Sequence, residues 1–239
     1  MSEIAATALQ MNRNSCDKTK PRPVRSIKPT KRSVSGVFPF RGEGGIPYES
    51  MLERDFLFRT EFSREVLEII PQPVMIPFEK NGRPYTYTPD FLVYYRLGSR
   101  HFENYPKPML VEVKPQDAWS ENWREWLPKW KAAWRYAKDQ GWKFHIHDET
   151  RIRDSAFYNI QFLERYARMV FAPEDSTWII DSVREMGVAP VHYLLATHSC
   201  DRYRGQTISH LWHLIATRRL ECDIRLPLND HLELWVPNP

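Results

Sequence analysis

The chain has 239 residues, 42% of them hydrophobic and 27% charged, which excludes a collagen-like or wholly disordered chain and leaves material for two compact domains. No run approaches the roughly 20 consecutive apolar residues of a membrane span, so no membrane role is expected. The start MSEIAATALQMNRNS lacks the basic-then-apolar order of a signal peptide, and a cytoplasmic location is expected.

The net charge is only +4 but unevenly placed. Arg13, Lys18, Lys20, Arg22, Arg25, Lys28, Lys31, Arg32 and Arg41 face few acids in the first fifth of the chain. Pro21, Pro23, Pro29 and Pro39, then Gly42, Gly44 and Gly45, interrupt any periodicity there, so residues 1–45 read as a basic, Pro-rich arm. A phosphate backbone attracts such an arm, and Arg22, Arg25, Lys28, Lys31, Arg32 and Arg41 are its candidate DNA contacts. A solvated tail is the alternative.

From Glu49 to Phe62, Met51, Leu52, Phe56 and Arg59 recur at helical spacing. Asn81-Gly82 lies between two β-prone runs and predicts a hairpin pairing Val74–Lys80 with Tyr85–Tyr95, because both residues tolerate the positive φ of a tight turn. A loop over 97–108 leads to the strand MLVEVK, Met109–Lys114. A helix follows, with Ser120 as N-cap and Gly141 as C-terminal cap. Trp119, Trp123, Trp126, Trp130 and Trp134 recur every three or four residues along it, the pattern of a buried face rather than a base-stacking platform. Pro128 predicts a kink or a split. Lys143–His147 alternates like a further strand. The order over 49–148 is helix, strands, helix, strand.

After Thr150 the pattern turns helical. RDSAFYNIQFLERYARMVF, STWIIDSVREMGV and TISHLWHLIATRRL predict helices, the last with Thr207 as N-cap. The chain closes on two β-prone runs around Asn229-Asp230. Helices followed by a hairpin is the order of a winged-helix domain. Ile208, Leu211, Trp212 and Ile215 give the last helix an apolar face, so protein docking suits it as well as groove reading.

Glu112 and Lys114 stand two apart on a strand and share a face, with Val111 and Val113 on the other. Upstream, Pro89-Asp90 interrupts the run TYTPDFLVYY, and proline marks an edge or bulge that can aim a side chain. If the two strands are neighbours in register, Asp90 and Glu112 converge. Two such carboxylates make a hard-oxygen site for Mg²⁺ or Mn²⁺, and Lys114 adds a fixed positive charge, as phosphodiester hydrolysis requires. Glu53 is a third candidate carboxylate, with Glu49, Asp55 and Glu61 as competitors. Cys200, His210, His213 and Cys222 lack the spacing of a zinc site, and with Cys16 the three cysteines read as reduced thiols.

The P-D…E-x-K arrangement resembles the site of the restriction-endonuclease-like nuclease superfamily. ESMLERDFL, Gln72-Pro73, YTPDFLV, LVEVKP and HDETRIR together resemble the TnsA family of transposon-end endonucleases, over Val34 to Arg153. The resemblance implies an α/β (α+β) fold with a mixed sheet flanked by helices at 46–150, then a mainly helical winged-helix-like domain at 151–239. It implies that Glu53, Asp90 and Glu112 form the acidic site, Lys114 the basic member and the Val113 carbonyl a further metal ligand, holding two Mg²⁺, replaceable by Mn²⁺. It implies nicking at the 5′ ends of a transposon, in double-stranded DNA, beside a TnsB integrase-like transposase and a TnsC AAA+ ATPase. Some relatives belong to CRISPR-associated transposons. A stand-alone repair or restriction nuclease, and a non-catalytic DNA-binding assembly subunit, are the competing readings.

Overall fold

Four strands form the sheet on which the candidate site is built. In the computed structural model, which describes residues 34–42, 44–98, 100–199 and 204–237, they are β3 (Val66–Pro71), β6 (Phe91–Tyr95), β7 (Met109–Val113) and β8 (Lys143–His147). Spatial order is β3-β6-β7-β8, the first two pairings antiparallel and β7–β8 parallel. A parallel pair requires a crossover, and α2 (Gln116–Asp139) supplies it. Helix α1 (Met51–Glu61) packs on the opposite face, where Phe56 stacks on Phe91 with ring centroids 5.3 Å apart. Leu92 and Leu110, both fully buried, face α2 and join Trp130, Ala133 and Ala137 in one core. The mixed sheet between helices is thus the architecture expected.

The Asn81-Gly82 turn forms as predicted, with φ of 54° and 71° between β4 (Ile76–Lys80) and β5 (Arg83–Tyr87). Its second arm is shorter than expected. β5 stops at Tyr87, and the chain passes through Pro89-Asp90 before β6 joins a different sheet. Proline cannot donate to a ladder, so the strand divides there.

Several local expectations are corrected. Part of the supposed arm is ordered: β1 (Gly36–Phe40) pairs antiparallel with β2 (Gly44–Tyr48). Pro39 and the glycines looked like breakers, but a two-stranded ribbon has two edges and tolerates them. At Gly45 an added Cβ would lie 2.3 Å from Val37 Cγ1, so close strand approach calls for glycine. Helix α2 begins at Gln116 rather than Ser120, and Pro128 lies inside one uninterrupted helix because packing against β4, β7 and β8 holds both halves. Gly141 does sit just past its end at φ 73°. The tryptophan stripe divides: Trp130 is buried, Trp119 and Trp126 pack on the core, and Trp123 and Trp134 are exposed.

The chain divides into compact units at 1–148 and 149–239. The second contains α3 (Glu149–Ile152), α4 (Ser155–Ala167), α5 (Pro173–Met186), β9 (Ala189–Pro190), α6 (Val191–His198), α7 (Arg204–Ala216) and β10 (Glu233–Leu234). Helices α4 and α7 pack together through buried Leu163, Leu211, Leu214 and Ile215. Thr207 lies inside α7, not at its cap. The two terminal β-prone runs meet only at the Glu221–Trp235 bridge, and β10 pairs with β9. Around the predicted turn, Asn229 Oδ1 accepts from the His231 N–H, a local bond that keeps this stretch a loop. No helix among the described residues is long and apolar enough to cross a membrane.

Gly82 has φ 71° and an added Cβ would meet nothing within 4 Å, so the cost of a side chain there is purely conformational. Gly82→Ala is expected to destabilise the first unit by about 1–2 kcal/mol in urea unfolding; no loss would contradict the turn.

Candidate active site

The registers of β6 and β7 decide where the carboxylates fall. Phe91 pairs with Val111 and Leu92 with Leu110, so the next antiparallel step sets Asp90 opposite Glu112. Asp90 is anchored twice. Its Oδ2 accepts from the Val113 N–H at 2.7 Å, and its own carbonyl accepts from the N–H of Gln72, which is held at φ 44°. Glu112 is 1% exposed, whereas Asp90 and Lys114 retain 18% and 27% exposure at the mouth of the site. The Lys114 ammonium lies between the two carboxylates, 3.7 Å from Asp90 Oδ2 and 3.5 Å from Glu112 Oε1. Val111 and Val113 are buried on the opposite face, as the alternation predicts.

Two residues that sequence reasoning missed complete the surroundings of Glu112. The Tyr87 hydroxyl donates to Oε2 at 2.5 Å, and the Lys129 ammonium donates to Oε1 at 3.1 Å. Tyr87 is the last residue of β5, and Lys129 follows Pro128 on the inner side of α2. The only sequence signal for either was its place in an aromatic or tryptophan-rich run.

Burial, then the charge of Glu112, lifts the Asp90 carboxyl well above its ordinary range, although Lys114 and the Val113 N–H pull it down. Burial also lifts Tyr87, and the charges of Glu112 and Asp90 add to this, so it stays a protonated donor. Burial alone would lower Lys114, but Asp90, Glu112 and Glu53 outweigh it and hold the ammonium above the usual lysine range. The site therefore combines crowded negative charge with a lysine fixed in its charged form.

Glu53 arrives on α1, and its carboxylate is already bonded. Oε1 accepts from the Ser50 hydroxyl at 3.0 Å and Oε2 from the Glu49 N–H at 2.7 Å, while Ser50 Oγ accepts from the Glu53 N–H. This is a variant of the capping box. Burial raises its carboxyl, and Lys114 lowers it, so its charge is felt at the site. Of the competitors, Asp55 pairs with Arg54 and Glu61 accepts from the Arg41 N–H, while Glu49 adjoins Glu53, whose carboxyl its charge helps to raise.

Among the described residues no three His, Cys, Asp or Glu side chains form a ready metal-ligand group. The donor chemistry at Asp90 and Glu112 nonetheless fits a hard divalent cation, because two crowded, mutually repelling carboxylates are relieved by positive charge, and Mg²⁺ needs only one or two of them beside its waters. The described residues weighed for zinc have other settings. His210 pairs with Ser176 and stacks on Phe171, His213 bonds the Tyr166 carbonyl, and burial pushes the Cys222 thiol up to about 12. Cys200 lies outside the described residues.

Of the basic residues proposed for DNA, Arg22, Arg25, Lys28, Lys31 and Arg32 lie outside the described residues. Arg41 has a structural place. Its Nη2 donates to the Ser63 and Val66 carbonyls, which fastens the β1–β2 turn to the start of β3.

Comparison with protein families matches the TnsA-like endonuclease N-terminal model to residues 63–149 and the TnsA endonuclease C-terminal model to residues 151–224. The chain belongs to the TnsA endonuclease family. It is therefore a transposon-associated nuclease, and the sheet carrying Asp90, Glu112 and Lys114 falls within the TnsA-like N-terminal match. No curated protein matches the chain. The TnsA N-terminal match begins after α1, so Glu53 lies outside it.

Asp90→Asn keeps an oxygen for the Val113 N–H and removes the charge. The folded chain holds the Asp90 proton more tightly than the unfolded chain, so stability from this group is lost as pH rises from about 4 through the raised folded value. The Asn variant is expected to unfold at higher urea than the parent at about pH 7–8, the gap closing below about pH 4. Equal stability at neutral pH would contradict the crowding.

Proposed function

We propose that this TnsA-family chain is a Mg²⁺-dependent DNA endonuclease that nicks at the 5′ ends of a transposon. The observation that carries this reading is the juxtaposition of Asp90 and Glu112 across β6 and β7 with Lys114 between them. Asp90 and the Val113 carbonyl are the proposed direct ligands, with the Glu112 carboxylate alongside and Glu53 contributing its charge from the first turn of α1. A divalent ion there, Mg²⁺ or Mn²⁺, supplies a water nucleophile at neutral pH and a Lewis acid for the phosphate.

The chain's own groups carry the rest of the chemistry. Lys114, held protonated and partly exposed, meets the negative charge that develops on the phosphate oxygens. Its charge is fixed in place before substrate arrives, so little reorganisation is needed at the moment of reaction. The Val113 N–H and the Gln72–Asp90 backbone bond set the Asp90 carboxylate on its strand end. Tyr87 and Lys129 do the same for Glu112.

The family also motivates the proposed assembly. The chain acts with a TnsB-like integrase-family transposase on double-stranded transposon-end DNA, with a TnsC-like AAA+ ATPase as third partner and a CRISPR-guided transposon among the proposed settings. The second unit is the proposed ATPase dock. Its support is a cleft of about 630 Å³ lined by Met169, Val170, Phe171, Trp178 and His210, of which Met169, Val170 and Trp178 are exposed. A winged-helix reading of this unit rests on its order of α5, β9, α6, α7 and the β10–β9 pairing.

Asp90→Ala and Lys114→Met are each expected to fold yet slow nicking of transposon-end DNA, with partner transposase and Mg²⁺ present, by about a hundredfold or more. Undiminished nicking by either variant contradicts the site. Efficient cutting of arbitrary DNA by the isolated chain would instead favour the stand-alone nuclease.

A further inference from the structure

Both oxygens of Glu112 are already engaged by protein donors. Tyr87 holds Oε2 at 2.5 Å, Lys129 holds Oε1 at 3.1 Å, and Lys114 lies 3.5 Å from the same Oε1. Lys129 is itself confined. Its ammonium stands 4.9 Å from the ring centroids of both Tyr87 and Trp126 and 5.8 Å from that of Trp130, and its side chain is only 19% exposed. Aromatic faces attract a cation, and three of them around one ammonium fix it more firmly than an ion pair alone would. Its backbone, in the middle of a 24-residue helix packed on the sheet, offers no hinge.

Asp90 differs. Its Oδ2 takes the Val113 N–H and faces Lys114, while its Oδ1 takes no protein donor among the described residues. A divalent ion bound to Glu112 would have to displace Tyr87 or Lys129 and would sit beside two ammonium groups of its own sign. An ion on Asp90 meets only one. The two carboxylates that the sequence treats as equivalent ligands are therefore unequal.

We infer that Lys129 is a built-in counter-charge that takes the role of a second metal ion on Glu112, so that the site holds one divalent ion, centred on Asp90, rather than the two implied by the resemblance. The inference rests on the metal-dependent nuclease reading. Lys129 acts through Glu112 and is a positioning residue, with Tyr87 and the Trp126–Trp130 pair as its supports. It also explains why a tryptophan-rich helix runs behind a nuclease sheet: three of its residues, Trp126, Lys129 and Trp130, serve the site from the inner side.

The test is a count of bound Mn²⁺ on the full chain, from the loss of the free-ion electron paramagnetic resonance signal and from calorimetry. Lys129→Met keeps an apolar stem in the aromatic cage and removes the charge. The parent is expected to bind one Mn²⁺ per chain, Lys129→Met two, and Asp90→Asn none. Two ions on the parent, or one on a folded Lys129→Met variant, overturns the inference while the nuclease reading stands. No Mn²⁺ on the parent overturns both. If that variant fails to fold, Lys129→Gln serves in its place, and two ions on the parent overturn the inference in either case.

Discussion

A carboxylate buried in a β-sheet is the constraint around which the first unit is arranged. Glu112 is 1% exposed, and the effective cost of burying such a charge is several kcal/mol unless it is paired and hydrogen-bonded. An ammonium within about 4 Å returns about 4 kcal/mol at an effective dielectric near 20. One partner would roughly break even, and Glu112 has Lys114, Lys129 and the Tyr87 hydroxyl. Each comes from a different element: β5 ends on Tyr87, Lys114 directly follows β7, and α2 carries Lys129. The charge can be tolerated only when the hairpin, the sheet and the crossover helix are all in place, so the fold and the site are conditions of one another.

Much of this was legible in the sequence because it depends on short-range rules. Asn81-Gly82 specified its turn, and Pro89 divided the strand where an N–H was missing. Period-two alternation placed Glu112 and Lys114 on one face and Val111 and Val113 on the other. The convergence of Asp90 with Glu112 was conditional on a register, which the Phe91–Val111 pairing supplies. The family match over 63–224 agrees with the motif order.

What was hidden depends on contacts distant in sequence. Lys129 is 17 positions from Glu112 and Tyr87 is 25, and neither has a local pattern. Pro128 added to the concealment, since a helix predicted to break there offers no reason to look at the next residue. Tertiary packing overrode that rule and carried α2 through the proline. Thr207 misled for a related reason: a good capping residue was read as a cap, yet it is buried within α7. Glu53 shows a residue whose two readings coexist. Ser50-x-x-Glu53 is a helix-start pattern, and the same carboxylate that completes it lies within electrostatic reach of Lys114. A carboxylate already bonded through both oxygens is better suited to shaping the field at the site than to binding an ion directly, unless it gives up its cap.

Function follows from the inequality of the acids. Glu112 is buried, paired and rigid, whereas Asp90 lies at the mouth of the site beside a lysine that is held in its charged form. Localised cutting of the protein backbone by bound iron measures where a metal sits without requiring DNA or partners. With Fe²⁺ in place of Mg²⁺, ascorbate and peroxide are expected to cleave the chain beside Asp90 and beside Glu112–Lys114, and excess Mg²⁺ to suppress both cuts. Cuts confined to other segments, or cuts at these positions that persist with Asp90→Asn, would contradict a metal site on these two strands.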